Sequence, residues 1–472
     1  MNYKKILQYI YEHSPTRFQN YMITRYSLER RKKKYGQEYF EFFNELTVSQ
    51  WFDNQKLQLL QNFKLNKVVS YAVKNIPYYK SMFKENNLHA EDIETVRDLK
   101  KIPFLTKDQA RNYVKQLISN EYKIRSLEHF QTSGTTGKAI DVYASSNYIQ
   151  MEKAFQWLHR SWGGVKMGDR QATFVGYSVV PFNRTRPPFW VYDNVENRIF
   201  FSLHHMTKEN LKYYINHLNE IKPDYIVGYP MAIFIISSYI LDGNPVNFKP
   251  KAIFTASETL MPYQKPIIES AFHTRIFDWY GQTEFTANIV QCEEGNYHIK
   301  YEYGVVEILN SEGEQVKPGE AGEIVATGLN NLAMPFIRYR TGDTAIFKGE
   351  GCSCGRGGLL VERIIGRVED VIITPDGRMI TRLDFLFKGL NNVREAQLYQ
   401  DEIDHLYINV VPSAGYSEFD KRKILAHARE HIGEMIKIEI REVDEIPRTK
   451  NGKFKYVVSD VFPKVIGLKQ SR

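Results

Sequence analysis

Between about residues 125 and 345, short apolar runs of β character alternate with runs of helical period, and this alternation limits the folds open to the chain. ATFVGY (172–177) and AIFTAS (252–257) have the length and the aromatic and aliphatic content of buried strands. The segment from Glu209 to Ile221 reads as an amphipathic helix. Strands separated by helices imply an α/β domain with much parallel sheet, because a parallel neighbour needs a long crossover. From Val305 to Leu329, strand-like runs are divided by the turn segments SEGEQ and KPGEAGE, so a small β subdomain is expected there. Residues 1 to about 120 read as helices: Trp51, Phe52, Leu57, Leu59, Leu60 and Phe63 recur at short helical intervals, and Pro77 and Pro103 divide the region. Beyond Gly366, the segments HLYINVV, KRKILAHARE and KIEIREV alternate once more, as in a compact α+β domain. The expected organisation is a helical segment over 1–120, an α/β core with mixed sheets over 121–366, and a small α+β domain over 367–472.

Composition narrows the function classes. Of 472 residues, 43% are apolar and 25% charged, which excludes a disordered or fibrous chain. The most apolar stretch, Met231 to Leu241, contains two serines and falls well short of the ~20 residues of a membrane helix. The N-terminus, MNYKKILQYIYEHSP, has no uninterrupted apolar core and no small-residue cleavage site, so no signal peptide is expected. The three cysteines, Cys292, Cys352 and Cys354, are too few for a disulfide scaffold, and the expected location is the reducing cytoplasm. A net charge of +8 and a pI of ≈ 9.0 suit polyanionic partners. The densest basic cluster, Arg30, Arg31, Lys32, Lys33 and Lys34, lies in a stretch of helical character. It is either a solvated helix face or the mark of a nucleic-acid or anionic-surface binding protein.

Several short segments carry chemistry. In Thr132-Ser133-Gly134-Thr135-Thr136-Gly137-Lys138, glycines allow close backbone approach, hydroxyls can donate to phosphate oxygens, and a lysine adds charge. This is not a Walker A loop, because only two residues separate the glycines and Ala139 stands where a magnesium-binding hydroxyl would be. Further along come Tyr280-Gly281-Gln282-Thr283-Glu284, Arg340-Thr341-Gly342-Asp343, Gly366-Arg367-Val368-Glu369-Asp370 and Pro447-Arg448-Thr449-Lys450-Asn451-Gly452-Lys453. Each alone is an ordinary polar turn. Cys352-Ser353-Cys354-Gly355 sits on a glycine-rich turn, and His298 follows Cys292 by six residues. Three thiolates and an imidazole form a Cys₃His set suited to a closed, structural Zn²⁺ site; the alternative is three buried thiols and a strand histidine.

Taken in order, these segments resemble the adenylate-forming superfamily of acyl-CoA synthetases, peptide synthetase adenylation domains and luciferases, over roughly residues 125–455. The resemblance implies a large N-terminal adenylation domain and a mobile C-terminal lid, using ATP and Mg²⁺ to convert a carboxylic acid into an acyl-adenylate with release of pyrophosphate. By position, residues 132–138 would cradle the β- and γ-phosphates, Tyr280 would stack on adenine within the Tyr280–Gln282 nucleotide segment, and Thr283 would contact the α-phosphate. Glu284 would hold Mg²⁺, Asp343 and Arg367 the ribose hydroxyls. Lys453 would bridge carboxylate and α-phosphate, and Glu369 would mark the hinge.

A closer resemblance, to the phenylacetate-CoA ligase group with its CapK-type capsule-biosynthesis proteins, rests on NIPYY (75–79), PFLTK (103–107), QTSGTTG (131–137), IRYRTGD (337–343) and the Cys352–Cys354 pair. Some of that group bind zinc through such a pattern. The resemblance implies transfer of the acyl group to CoA. However, DVIITPDGRMITRLD replaces the glycine-asparagine-rich turn of phenylacetate-CoA ligases, which leaves an amine or hydroxyl acceptor as the alternative. The implied partners are a small carboxylic acid, ATP and that acceptor, with no nucleic acid and no membrane span; a homodimer is compatible. Phe174, Tyr177, Phe182, Trp190 and Tyr229 lie in the stretch that would line the acid pocket.

Overall fold

The computed structural model describes residues 3–132, 139–177, 179–365, 372–380, 383, 386, 392–413, 415–447 and 457–461. The chain opens with helices α1 (Tyr3–Glu12), α2 (Thr16–Lys34), α3 (Gln37–Ser49), α4 (Asn54–Asn75), α5 (Pro77–Glu85), α6 (Lys107–Asn112) and α7 (Val114–Leu117). Local signals set their ends. Asp53 caps α4 by accepting from Lys56 N–H at 2.8 Å, Pro77 occupies the first turn of α5, and Thr106 with Gln109 forms a capping box on α6. A separate hairpin follows, β1 (Glu128–Gln131) with β2 (Asp141–Ala144), and then α8 (Ser146–Trp162).

The α/β half contains β3 (Gln171–Phe174), β4 (Trp190–Asp193), β5 (Arg198–Phe201), α9 (Leu211–Ile221), β6 (Tyr225–Gly228), α10 (Pro230–Leu241), β7 (Ala252–Ala256), α11 (Gln264–Phe272) and β8 (Ile276–Gly281). Strands β5, β3, β6, β7 and β8 lie side by side and parallel, with β4 antiparallel at the edge. Helix α10 is the apolar stretch singled out above. It is a short core helix, and no described helix is long and apolar enough to cross a membrane. Two strands are shorter than expected. β3 stops at Phe174, whose carbonyl accepts from Tyr229 N–H, and β7 stops at Ala256, because Ser257 turns to φ +71°.

The sheet continues antiparallel through β9 (Asn288–Gln291), β10 (Tyr297–Ile299), β11 (Gly304–Leu309), β12 (Ala321–Gly328), β13 (Tyr339–Glu350) and β14 (Leu359–Ile364). The order across all twelve strands is β11-β12-β13-β14-β10-β9-β8-β7-β6-β3-β5-β4. The expected β subdomain is therefore not a separate sheet: β9 pairs with both β8 and β10, and the hydrogen-bonded ladder passes through without a break. This part also curls. Gly304, at the start of β11, packs so tightly on the segment after β8 that a Cβ there would collide with the Thr286 carbonyl.

The C-terminal part has the short pair β15 (Ile372–Ile373) and β16 (Met379–Ile380). Beside it stands a four-stranded sheet of β17 (Val393–Glu402), β18 (His405–Pro412), β19 (Lys437–Glu442) and β20 (Val457–Ser459) with α12 (Glu418–Ile432). It has its own core of Leu398, Ile408, Ile424 and Val457.

Helices α4 and α5 share a core with the strand-13 region through Leu65, Val69, Tyr79, Phe83, Phe336 and Tyr339. Tyr79 is fully buried there; its hydroxyl donates to the Pro335 carbonyl at 3.0 Å and accepts from Ile337 N–H at 2.9 Å. Tyr79→Phe leaves both backbone groups buried without a partner, and we expect a loss of about 1–3 kcal/mol of stability in urea unfolding. An unchanged midpoint would show that the phenol does not hold this segment.

Candidate functional site

The carboxyl ends of the parallel strands, at Phe174, Gly228, Ala256 and Gly281, open on one side of the sheet, where α/β proteins place ligands. Residues Tyr280 to Glu284 leave β8 at this rim. Gln282 folds back on its own turn: its side-chain oxygen accepts from Thr286 Oγ1 at 3.1 Å and Ala287 N–H at 3.0 Å, while its amide donates to Tyr280 Oη at 3.0 Å. The Tyr280 hydroxyl donates to Asp343 Oδ2 at 2.9 Å, and the Tyr339 hydroxyl donates to Glu284 Oε1 at 2.7 Å. The structure thus brings the YGQTE and RTGD segments together through two phenol–carboxylate pairs. Thr283 stands half-buried within this turn, and Gly281 is exposed at its entrance.

Both carboxylates are electrostatically unsettled. Burial pushes Asp343 up to about 7, partly opposed by the Tyr280 hydrogen bond and reinforced by the negative charge of Glu284. Burial also raises Glu284, against the lowering effect of the Tyr339 hydroxyl. Burial, and then the charge of Asp343, raises Tyr280, so this phenol stays a neutral donor. Paired carboxylate oxygens in such surroundings suit a hard cation and hydroxyl-bearing ligands.

The segments found in the N-terminal helices are what hold RTGD in place. Leu105 N–H donates to the Arg338 carbonyl and Arg340 N–H to the Leu105 carbonyl, both at 3.0 Å, so PFLTK lies along IRYRTGD like an added strand. Arg338 is buried, donates to the carbonyls of Lys100 and Ile102 at 3.1 and 2.8 Å, and lies 4.2 Å from the centre of the Phe104 ring. Three non-glycine residues around the rim adopt left-handed backbone: Ser257 (φ +71°), Phe285 (φ +57°) and Arg338 (φ +50°). Such conformations persist where surrounding contacts enforce them, and they concentrate at functional sites. Neither Tyr339 nor Glu258 has a role readable from sequence motifs taken one by one. Tyr339 could have been read from its place inside IRYRTGD, whereas Glu258, which accepts from the first turn of α10 at Met231 N–H, 3.3 Å away, has no sequence signal.

Thr132 closes the neck of the β1–β2 hairpin, its N–H donating to the Ile140 carbonyl at 3.0 Å and its Oγ1 accepting from Ile140 N–H at 2.8 Å. Phe130 packs edge-on against Phe285 at 5.2 Å, which seats the hairpin beside the YGQTE turn. Ser133, Gly134, Thr135, Thr136, Gly137 and Lys138 lie outside the described residues, as do Arg367, Glu369 and Lys453. Of the aromatics proposed for an acid pocket, Phe174 is core, stacked on Phe201 at 4.7 Å, and Trp190 stacks on His217 at the sheet edge. Tyr177 is exposed, and Tyr229 lies against Gly176 at the rim. Phe182 packs against His204 and against His431 of α12.

Cys292, His298, Cys352 and Cys354 converge, with their ligand atoms all within 4.8 Å of one another. Cys292 Sγ lies 3.7 Å from Cys352 Sγ, and Cys354 Sγ lies 3.4 Å from His298 Nε2. Those sulfurs are too far apart for a disulfide, whose S–S length is about 2.05 Å. They match the roughly 3.8 Å edge of a tetrahedron with Zn–S bonds near 2.3 Å. Burial drives Cys292 up to about 12 and His298 down to about 4, so the imidazole is a neutral donor. Between the two loops, Arg356 bonds both carboxylate oxygens of Glu293 at 2.7–2.8 Å and is sandwiched by Trp51 and Trp162.

The basic cluster at the end of α2 faces the protein's own acids. Arg30 and Lys33 reach Glu128 at 3.4 and 3.0 Å, Lys34 lies 3.7 Å from Glu196, and Arg31 donates to the Val195 carbonyl.

Known proteins resemble this chain in both sequence and fold. Residues 372–460 match the CapK C-terminal domain family. The chain is 29% identical over 466 residues to Protein CapK of Staphylococcus aureus, covering 97% of this chain and 100% of that one. It is 21% identical to the phenylacetate-coenzyme A ligase of Thermus thermophilus, over 86% of this chain and 96% of that one. The fold is shared with 2-hydroxyisobutyryl-CoA ligase, solved with 2-HIB-AMP and CoA, at a TM-score of 0.59 and 16% identity over 90% of this chain and 94% of that one. Over nearly its whole length the chain is thus similar to Protein CapK and to phenylacetate-coenzyme A ligases, and it shares the fold of an adenylate-forming CoA ligase.

Proposed function

We propose that this enzyme activates a carboxylic acid as an acyl-adenylate at the expense of ATP, releasing pyrophosphate, and passes the acyl group to CoA. The observation that carries the reading is the meeting of YGQTE and RTGD at the carboxyl ends of the parallel strands, where Tyr280–Asp343 and Tyr339–Glu284 are paired. In this reading Asp343 accepts from the ribose hydroxyls, Glu284 is the ligand for Mg²⁺, and Thr283 contacts the α-phosphate. The bound Mg²⁺ would supply charge neutralisation on the triphosphate. Tyr339 orients the Glu284 carboxylate, and Tyr280 orients Asp343 while presenting its ring to the base. Residues 132–138, Arg367, Glu369 and Lys453 keep the phosphate-cradling, ribose, hinge and bridging roles that the family resemblance gives them.

The alternative acceptor class is an amine or hydroxyl, because DVIITPDGRMITRLD stands where phenylacetate-CoA ligases have a glycine-asparagine-rich turn. In its TPDGR turn, between β15 and β16, Arg378 is buried and donates to Asp376 and to the Ile432 carbonyl. A panel of carboxylic acids followed by pyrophosphate release, then chased with CoA or with amines and alcohols, separates the two. If no acid drives pyrophosphate release in folded protein, the ligase reading fails.

Glu284→Gln is expected to lower the rate of pyrophosphate release about 10²–10³-fold, the usual effect of losing one charge-stabilising group in an active site. A loss below about threefold would remove Glu284 from the metal site.

The raised Asp343 adds a pH dependence. A carboxyl with a pKa of about 7 is mostly protonated at lower pH and then cannot accept from two hydroxyls. The KM for ATP is therefore expected to rise by up to about tenfold per pH unit below 7 and to level off above it. Asp343→Asn should raise KM and flatten that profile; a wild-type profile in the variant would exclude the role.

The set of Cys292, His298, Cys352 and Cys354 we read as a structural Zn²⁺ site, with four protein donors and none left for water. Purified without chelator, the protein should hold about one equivalent of zinc by elemental analysis, as a single four-donor site requires. Stripping the metal, or Cys354→Ser, should lower the Tm while leaving the far-ultraviolet spectrum folded at 25 °C. Less than about half an equivalent in wild type would refute the four-ligand site.

A further inference from the structure

The positive charge of this chain is concentrated at one end. Residues 1–34 hold nine lysines and arginines against two acids, Glu12 and Glu29, so this stretch carries +7 of the net +8. It folds as α1 and α2. Helix α2 meets the sheet edge largely through polar groups, with Ile23 packed on Val179, Val180, Val191 and Phe200: Asn20 accepts from Tyr192 N–H at 3.0 Å, Thr24 accepts from Asn194 N–H at 3.2 Å, and Ser27 donates to Asp193 at 2.5 Å. Its outward face holds Phe18, Tyr21 and Leu28, which are 44%, 63% and 47% exposed. Arg25 and Lys32 continue that stripe at helical spacing, with Arg17 at its flank, all three exposed.

The inward polarity has a local cause. Strand β4 is the edge of the large sheet, and its outward N–H groups need acceptors, which Asn20 and Thr24 supply. That requirement puts no demand on the outward positions, where ordinary helix surfaces carry lysine and glutamate. Aromatic and aliphatic side chains interleaved with arginine and lysine on an unpartnered face therefore call for a partner outside the chain. Neighbouring α1 adds Tyr9 and Ile10, also exposed.

We propose that the outward face of α2, with α1 beside it, is a docking surface for an anionic lipid bilayer. Tyrosine and phenylalanine partition to the headgroup level, leucine and isoleucine enter the acyl boundary, and flanking cations gain from anionic headgroups. A nucleic-acid partner fits less well. Of the cations it would need most densely, Arg30 and Lys34 are half-buried and paired with Glu128 and Glu196, and Lys33 makes an exposed pair with the same Glu128. Those left facing outward are Arg17, Arg25 and Lys32. Among the described residues, Arg25 of these has an acid nearby, in an exposed pair with Glu29, and such pairs hold weakly.

The test is co-sedimentation of the full-length protein with vesicles of phosphatidylcholine alone and of phosphatidylcholine with about one third phosphatidylglycerol. Binding is expected only to the anionic vesicles, weakening as salt is raised. Each outward cation removed should lower the partition coefficient roughly fivefold, so Arg17→Glu, Arg25→Glu and Lys32→Glu together should lower it more than about a hundredfold. Phe18→Ser with Tyr21→Ser keeps every charge and should also weaken binding markedly. Pyrophosphate release and the melting curve should be unchanged in both variants, which separates docking from folding and from the ligase reading. Equal sedimentation with both vesicle types, or wild-type binding by both variants, overturns the proposal. So does salt-dependent binding to single-stranded DNA without vesicle binding, or a concentration-dependent dimer abolished by Phe18→Ser and Tyr21→Ser in the absence of lipid.

Discussion

Four steps across the sheet separate β8 from β13, yet Tyr280 on the first and Asp343 on the second share a 2.9 Å hydrogen bond. In a flat sheet, strands four steps apart would be roughly 19 Å from one another. The antiparallel half must therefore curl until its far strands return over the end of β8. The site exists because of that curl. The register shifts in β13 against both its neighbours increase the local twist that closure needs. Gly304 and Gly328 are the contact points, since a Cβ at either would strike the backbone of Phe285 or Thr286. Fixing the two phenol–carboxylate pairs thus amounts to fixing the curvature of six strands.

The helical N-terminal part acts on the same geometry from behind. Tyr79, Leu105 and Phe104 all bear on residues 335–340, immediately before the RTGD turn. Arg338 is forced into left-handed backbone, and the contacts that hold it are buried carbonyls of the 96–102 helical turn. Two carboxylates whose burial favours the neutral form can be kept close together only if the backbone beneath them does not relax. The helices provide that rigidity. This explains why segments far from any ligand-bearing turn occur alongside the site segments in one chain.

Much of this was readable from the sequence, and the remainder was hidden for definite reasons. Strand–helix alternation reports local burial, so α9, α12, β3 and β7 are legible within a few residues. The ends of β3 and β7 were missed because they are set by tertiary contacts, the Tyr229 N–H on Phe174 and the left-handed Ser257. The strands between Val305 and Leu329 read as a subdomain because turn residues mark hairpins but not the sheet that a hairpin joins. Tyr280, Glu284 and Asp343 were visible as turn residues, whereas their pairing with one another and with Tyr339 spans 63 and 55 residues and leaves no local trace. The Arg30–Lys34 cluster looked like a free basic face because Glu128 and Glu196 are 95 or more positions away.

The three cysteines and His298 raise a question of cause: whether the fold assembles the four donors or a metal would have to. In small zinc domains the apo chain is unfolded, so the metal's binding energy is the folding energy. Here His298 is on β10 and paired in register with Leu360 of β14, which fixes its loop to the one that carries Cys352 and Cys354. Arg356 and Glu293 then join the same two loops a second time, by one guanidinium nitrogen bonded to both carboxylate oxygens, with the arginine pressed between Trp51 and Trp162. An arginine 6% exposed in its side chain and so enclosed gives up its hydration only where the geometry is tightly held. The donors are therefore gathered by strand pairing and by this ion pair. A bound cation would lock loops already in position, and its removal would loosen one corner of the curled sheet without dissolving the sheet itself. That corner lies on β9, β10 and β14, the strands that carry the curl from β8 to β13, and so any slackening there is transmitted to the distance between Tyr280 and Asp343.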